Sequence, residues 1–97
     1  MNPQKVQRDQ VSRLEDLPNI GKRMATSLRC IGIRSPEQLT GQDPFKLYEA
    51  LCERTGVRQD PCVLDVFISI VHFMDGGDAL PWWSFTAQRK RKLDIFK

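Results

Sequence analysis

The sequence predicts a compact all-α domain of five to six helices, and three observations support this. Helix-start patterns recur along the chain, the segments between them span a few residues, and no stretch alternates apolar and polar residues as a strand does. With 97 residues, 40% of them hydrophobic and 28% charged, the chain fits one globular domain. The predicted helices lie near 13–17, 21–30, 36–40, 44–54, 61–75 and 85–92.

The first two helices are joined by the turn Pro18-Asn19-Ile20-Gly21. The first helix ends before Pro18, because proline disfavours helical backbone at the residue before it. The second helix begins near Gly21 and places Met24, Ala25 and Leu28 on one apolar face. These two segments therefore form a predicted helical hairpin.

The later helices begin with a common chemistry. Ser35-Pro36 is followed by Gln38 at the capping-box position, and Asp43-Pro44 and Asp60-Pro61 each combine an N-cap residue with proline in the first turn. The helix after Asp60 reads PCVLDVFISIVHFM and is apolar nearly all round, so we predict that it is the central buried helix. It should end at Asp75-Gly76-Gly77.

The ends of the chain and its cysteines predict the organisation and the compartment. Residues 1–12 are polar and predict an N-terminal arm, with 13–97 as the single domain. The start MNPQKVQRDQ does not resemble a signal peptide, and no apolar run is long enough to span a bilayer. Three cysteines without a CxxC pair indicate reduced thiols, so we expect a cytoplasmic protein without membrane contact.

The stretch LPNIGKRMATSL combines a tight turn, a helix start and positive charge, which are the features of an anion site. The first amides of a helix lack intrahelical partners and carry the positive end of its dipole, so they suit phosphate. Asn19 tolerates left-handed backbone, and Gly21 either takes a positive φ or permits close approach of another backbone. Lys22 and Arg23 add charge, while the alternative is a connector that only packs two helices.

The pattern L-x-x-L-P-x-I-G-x-x-x-A-x-x-L resembles the helix-hairpin-helix motif of DNA repair and recombination proteins, which usually has glycine where this chain has Asn19. The resemblance implies that the amide N–H groups of Asn19, Gly21 and Met24 bind the DNA backbone without reading bases. Apart from one monovalent cation that some family members hold, no cofactor is expected. The carbonyls that the resemblance assigns to this cation belong to Glu15, Leu17 and Ile20.

A wider resemblance covers about residues 12–92. The segments LRCIGIRSPEQLTGQDPFKLYEALC, DPCVLDVFISIVHF and LPWWSFTAQRKRK are similar to small bacterial helix-hairpin-helix proteins labelled pathogenicity locus or mitomycin-resistance proteins. The segment IGIRSPEQL also resembles the helical C-terminal domain of bacterial competence regulators and of RNA polymerase α subunits. Both comparisons imply a SAM-like all-α fold that contains one helix-hairpin-helix motif.

We therefore predict a non-enzymatic, sequence-independent DNA-backbone-binding accessory protein, with DNA repair or damage resistance as candidate roles. The alternative is a SAM-like protein-protein interaction module without direct DNA contact. The net charge of +3 mildly favours an anionic partner, and no glycine-rich nucleotide loop or small-molecule site is evident. The basic run Arg89-Lys90-Arg91-Lys92 is either a second phosphate contact or a solvated tail, and its first three residues are the candidate contacts.

Three further groups each have two interpretations. Trp82 and Trp83 either stack on unpaired bases or anchor the C-terminal segment, with one ring left partly exposed. Asp65, Ser69 and His72 share helical spacing, but one straight helix cannot build a catalytic triad, so we predict a solvent-facing edge.

The cysteines are the last group. Cys62 lies in the first turn of its helix, where the dipole lowers a thiol pKa, and Cys52 ends the preceding helix. A redox pair, or a zinc site with His72, is the alternative to small buried hydrophobes at all three cysteines. We expect the hydrophobic role.

Overall fold

The computed structural model describes the backbone of residues 11–95 and the side chains up to Arg91. Residues 11–95 form four α-helices and no strand, which confirms the all-α class. The helices are α1 (Lys22–Cys30), α2 (Pro44–Thr55), α3 (Pro61–Met74) and α4 (Thr86–Ile95). Short 3₁₀ turns also occur at Leu14–Asp16, Pro36–Leu39 and Trp82–Phe85.

Two predicted helices, near 13–17 and 36–40, exist as single 3₁₀ turns. Leu17 and Thr40 both take extended backbone (ψ 151° and 124°) and end their turns after three and four residues. Such short segments close i to i+3 hydrogen bonds, as between the Leu17 N–H and the Leu14 carbonyl at 3.1 Å. The described chain therefore has fewer α-helices than the five or six predicted.

The helix boundaries follow from the predicted caps. The Asp43 carboxylate accepts the Phe45 N–H at 2.9 Å, and the Asp60 carboxylate accepts the Cys62 N–H at 3.3 Å. The backbone N–H of Ser35 donates to Gln38 Oε1 at 3.0 Å, which is half of the predicted capping box. Helix α3 ends at Met74, with Asp75 as its C-cap, so the predicted stop is confirmed.

Helix α3 lies at the centre of the core, as predicted. Its residues from Leu64 to Val71 are all buried, and Phe67 and Ile70 are completely inaccessible. The hairpin segment packs on the same core through side chains that are also completely buried. These are Leu14, Leu17, Ile20, Ala25 and Leu28.

The predicted solvent-facing edge of α3 is wrong for two of its three residues. Asp65 and Ser69 are 0% and 1% exposed, and only His72 is on the surface. Both buried groups are hydrogen-bonded to other segments of the chain, which offsets the cost of removing them from water. Helical spacing alone cannot distinguish a solvated polar stripe from a buried one with distant partners.

The predicted arm, residues 1–12, lies mostly outside the described residues. Val11 packs against the core, and the Ser12 N–H donates to Asp16 Oδ2 at 3.1 Å. These two residues are therefore part of the folded domain. In the described range, every helix is too short or too polar to cross a lipid bilayer.

Candidate nucleic-acid interface

The turn between Leu17 and Gly21 is fixed to the core by buried apolar side chains. Pro18 is buried beside Leu17 and Ile20, so Ile20 holds the turn against the core as predicted. Asn19 has φ 66°, which confirms its predicted left-handed backbone and explains how it replaces a glycine here. Before the turn, the backbone N–H of Arg13, followed by that of Ser12, lowers the pKa of Asp16 below its ordinary value.

The side chain of Asn19 ties this turn to two other segments. Its Nδ2 group donates to Ser69 Oγ at 3.1 Å and to the Leu80 carbonyl at 2.8 Å. Ser69 in turn donates its hydroxyl to the Val66 carbonyl at 2.6 Å. A glycine could adopt the same φ but could not make these contacts, so asparagine fixes the turn on α3 and on the segment before Trp82.

Gly21 is not the residue that needs a positive φ. Its backbone is extended (φ −101°, ψ −171°), a conformation open to any residue, so that part of the prediction is wrong. A Cβ atom built at Gly21 has no atom within 4 Å. The fold therefore does not require glycine here, and among the described residues no other backbone approaches this position, so the second predicted reason is not seen within the fold either.

Apart from the Ile20 N–H, which donates to the Leu17 carbonyl, the amides of the turn and of the first turn of α1 have no protein acceptor among residues 11–95. Within α1, the first N–H that pairs is that of Ala25, which donates to the Gly21 carbonyl at 3.0 Å. Gly21 is the N-cap residue and has no side chain to accept a hydrogen bond. The amides left with no acceptor among the described residues belong to Asn19, Gly21, Lys22, Arg23 and Met24.

Positive charge accompanies these amides. Gly21, Lys22 and Arg23 are all exposed, whereas Met24 is half-buried and packs on the core. Three consecutive exposed residues at a helix N-terminus place two cations beside several N–H donors. The structure thus brings together five of the eight predicted contact residues.

The predicted cation ligands occupy the same turn. The Leu17 carbonyl accepts the Ile20 N–H at 3.4 Å, a long hydrogen bond. Within residues 11–95, the carbonyls of Glu15 and Ile20 accept no backbone N–H. Carbonyl oxygens suit a hard cation, and the cation itself remains a prediction.

The basic run of α4 divides into two kinds of residue. Arg89 was predicted to contact DNA, but its side chain is 12% exposed and forms an ion pair with Asp65, with Nε 2.8 Å from Oδ1. This hydrogen bond, together with the charge of Asp65, raises the pKa of Arg89 above its ordinary value. Lys90 and Arg91 are exposed, so these two cations of the predicted run face solvent, and the side chain of Lys92 lies outside the described part of the structure.

The buried polar residues of α3 bring the two basic segments to one side of that helix. Asp65 accepts from Arg89 and from the Thr86 hydroxyl at 2.8 Å, and Ser69, one turn later, accepts from Asn19. Residues four apart on a helix lie on one face, about 5–6 Å apart at Cβ. The turn and the start of α4 are therefore anchored to adjacent positions of the same α3 face.

Comparisons with known proteins identify the family. A family model described as "Pathogenicity locus" matches residues 7–91. The chain belongs to the Pathogenicity locus family. It is also 43% identical over 82 residues to the "Mitomycin resistance protein McrB" of Streptomyces lavendulae, covering 84% of this chain and 78% of that protein. No solved structure matches the chain.

The two tryptophans of this Pathogenicity locus protein have different environments. Trp82 is half-buried and packs on the main core, as expected for an anchor. Trp83 is 61% exposed, and the two rings meet edge to face with centroids 5.6 Å apart. One ring is thus an anchor and the other is available at the surface.

The three cysteines are all free thiols in the structure. Partial burial, with the charge of Asp60 adding to it, raises the pKa of the Cys62 thiol, so the predicted lowering is wrong. Cys52 and Cys62 are half-buried, but Cys30 is exposed, against the expectation that all three are buried. Among the described side chains, no three His, Cys, Asp or Glu residues gather as a metal site.

Sequence reasoning missed one cationic feature of this Pathogenicity locus protein. Arg29, Arg34 and Arg54 line an open cavity of about 610 Å³ at the C-terminal end of α1. Arg29 is also paired with Glu15 at 2.9 Å. The three arginines belong to different segments, so their spacing in the sequence gives no signal for the cavity, which lies at the opposite end of α1 from Gly21.

Proposed function

We propose that this protein is a non-enzymatic accessory protein that binds the DNA backbone without sequence preference. The observation that carries the proposal is the set of amides with no protein acceptor among residues 11–95, beside exposed Lys22 and Arg23. Backbone amides bind phosphate oxygens and make no contact with base edges. Binding through them is therefore expected to depend on charge and shape.

The open space at Gly21 supports the proposal. A phosphate group that approaches the amides of a helix N-terminus must come close to the N-cap residue, where a side chain would hinder it. Gly21 is exposed, and the fold leaves the space of its missing Cβ empty. In this interpretation the segment from Leu14 to Leu28 is a helix-hairpin-helix motif with a shortened first helix, within a SAM-like domain.

Lys90 and Arg91 are proposed as supporting contacts. They follow Thr86 and Arg89, which the α3 side chains hold next to the position that binds Asn19. Arg89 has no part in DNA contact in this proposal, because its guanidinium group neutralises buried Asp65. A monovalent cation at the turn carbonyls would add positive charge at the same place.

The number of exposed cations sets the expected affinity. A single module of this kind should bind with a Kd on the order of 10⁻⁴ to 10⁻⁶ M near physiological salt. With about two to four phosphates neutralised, the slope of log K against log salt is roughly −1.8 to −3.6. Affinity should then fall about 10- to 150-fold between 50 and 200 mM salt.

The names of the relatives indicate the setting. The Streptomyces protein is named for mitomycin resistance, and the family is named for a pathogenicity locus. For this chain we propose a role in resistance to DNA damage, in the cytoplasm. The second candidate function is a protein-protein interaction module, and the exposed Trp83 ring is the observation that favours it.

The test compares charge reversal at the turn with a matched reversal elsewhere. Lys22→Glu/Arg23→Glu and Arg34→Glu/Arg54→Glu each lower the net charge by four, from +3 to −1. Binding of a labelled 20-base-pair duplex is measured by fluorescence anisotropy at 50 and 200 mM salt. We expect the first variant to lose most binding and about two units of salt slope, and the second to lose much less.

Two results would argue against the proposal. If the wild-type protein binds no duplex at 50 mM salt, the interaction-module alternative becomes the better one. If both variants weaken binding equally, net charge rather than the turn determines the affinity. Circular dichroism melting of both variants excludes unfolding as the cause.

A further inference from the structure

The chain segment that leads to the exposed Trp83 ring is hydrogen-bonded to the turn of the proposed phosphate site. The Leu80 carbonyl accepts a hydrogen bond from Asn19 in the turn at 2.8 Å, and Trp83 follows three residues later. Three residues span at most about 11 Å. The Cα atom of Trp83 is therefore within about 11 Å of that of Leu80, the residue that binds the Asn19 side chain.

The Trp83 ring is held in position by the residues on either side of it. Its neighbour Trp82 packs on the core and meets the Trp83 ring edge to face, at an angle of 83° between the ring planes. Phe85, the last residue of the same 3₁₀ turn, is buried. The segment is thus fixed on both sides of Trp83, whose own ring is 61% exposed.

Two elements with exposed cations adjoin the segment that carries Trp83. The turn with Lys22 and Arg23 is joined to Leu80, before Trp83, and α4 with Lys90 and Arg91 begins three residues after it. An aromatic ring between phosphate-binding elements is how proteins hold unpaired nucleotides, since the ring stacks on a base while cations neutralise the backbone. In an intact duplex, the bases are already stacked on one another and do not offer a free face.

We infer that this protein prefers DNA in which unpaired bases lie next to the backbone bound by the turn, such as a gap or a single-stranded overhang. We infer that Trp83 stacks on one such base. This inference rests on the proposed function. It predicts a preference for gapped DNA over intact duplex of about 5- to 150-fold, the range for one stacked base.

The test uses three DNA probes: an intact 20-base-pair duplex, the same duplex with a three-nucleotide gap, and oligothymidine. Wild-type protein should bind the gapped probe more tightly, and Trp83→Ala should lose this preference while keeping its affinity for the intact duplex. Val57→Ala removes another exposed hydrophobic side chain, 60% exposed, and serves as the matched control. Oligothymidine should quench tryptophan fluorescence in the wild type and much less in Trp83→Phe.

The outcomes separate this inference from the proposed function. If wild type binds duplex and gapped DNA equally and Trp83→Ala changes neither, the inference fails and the proposed function stands. If Trp83→Ala weakens both probes equally, the ring contacts the duplex and the selection of unpaired bases is refuted. If no probe is bound, the proposed function fails as well, and Trp83 becomes the candidate contact for a protein partner.

Discussion

Replacing Gly21 by serine should stabilise the protein and weaken its binding to DNA at the same time. Gly21 is the N-cap of α1 and has the extended backbone typical of that position, with free space where a side chain would begin. A serine hydroxyl there can accept the N–H of Arg23 or Met24, the second and third residues of the helix. The substitution therefore places an internal acceptor on an amide that we assign to phosphate.

The expected gain in stability follows from two contributions. Serine caps a helix better than glycine by a few tenths of a kcal/mol. Removing a glycine from a compatible position restricts the unfolded chain and adds about 0.4 to 1 kcal/mol. The sum, roughly 0.5 to 1.5 kcal/mol, should raise Tm by about 2 to 12 °C for a domain of this size.

The expected loss of binding is larger. A hydrogen bond to a charged group contributes about 1.5 to 3 kcal/mol, so occupying the amide should weaken DNA binding about 10- to 150-fold. Gly21→Ala is the matched control, because it adds a methyl group without an acceptor and should stabilise the protein less. Tm is measured by circular dichroism and Kd by anisotropy with a labelled duplex at 50 mM salt.

Two results would refute this reasoning. A Gly21→Ser protein that is more stable and binds DNA like the wild type would show that the amides make no contact with the backbone. A less stable Gly21→Ser protein would show that the N-terminus of α1 is not open to a side-chain cap.

Three further predictions concern the groups that hold the site. Asp65→Ala should lower the free energy of unfolding by about 3 to 5 kcal/mol, since it leaves Arg89 unpaired, and a denaturant midpoint close to wild type would contradict this. Asn19→Gly keeps the left-handed backbone but loses two hydrogen bonds, so it should lower the free energy of unfolding by about 1 to 3 kcal/mol. Asn19→Ala also adds backbone strain and should lower it further. The opposite order of the two variants in urea unfolding would contradict this. The pKa of Asp16 is lower in the folded protein than its ordinary 3.8, so its contribution to stability is present above about pH 4 and is lost as pH falls through the folded value. Asp16→Asn should therefore flatten the acid limb of a curve of Tm against pH. Parallel curves for the two proteins would contradict this.

The sequence predicted the helices well because their signals are local. Asp43-Pro44 and Asp60-Pro61 each contain both the cap and the proline that start a helix, and both caps are made in the structure. The apolar character of α3 predicted its central position for the same reason. The turn was found through its own residues, and Asn19 takes the backbone that its type favours.

Two of the failures concern partners that are distant in sequence. Asp65 looked like a solvated residue because its partners, Thr86 and Arg89, lie 21 and 24 residues away. Arg89 looked like part of a free basic run for the same reason. The Cys62 thiol was assigned a lowered pKa from the helix dipole alone, but its partial burial and Asp60 raise the pKa.

The central claim is that the amides of the turn contact the DNA backbone, and an NMR titration tests it most directly. Amide chemical shifts of ¹⁵N-labelled protein are followed while a short duplex is added at 50 mM salt. We expect the largest changes at Asn19, Gly21, Arg23 and Met24. Changes absent from these amides, or confined to the arginine-lined cavity at the other end of α1, would contradict the account.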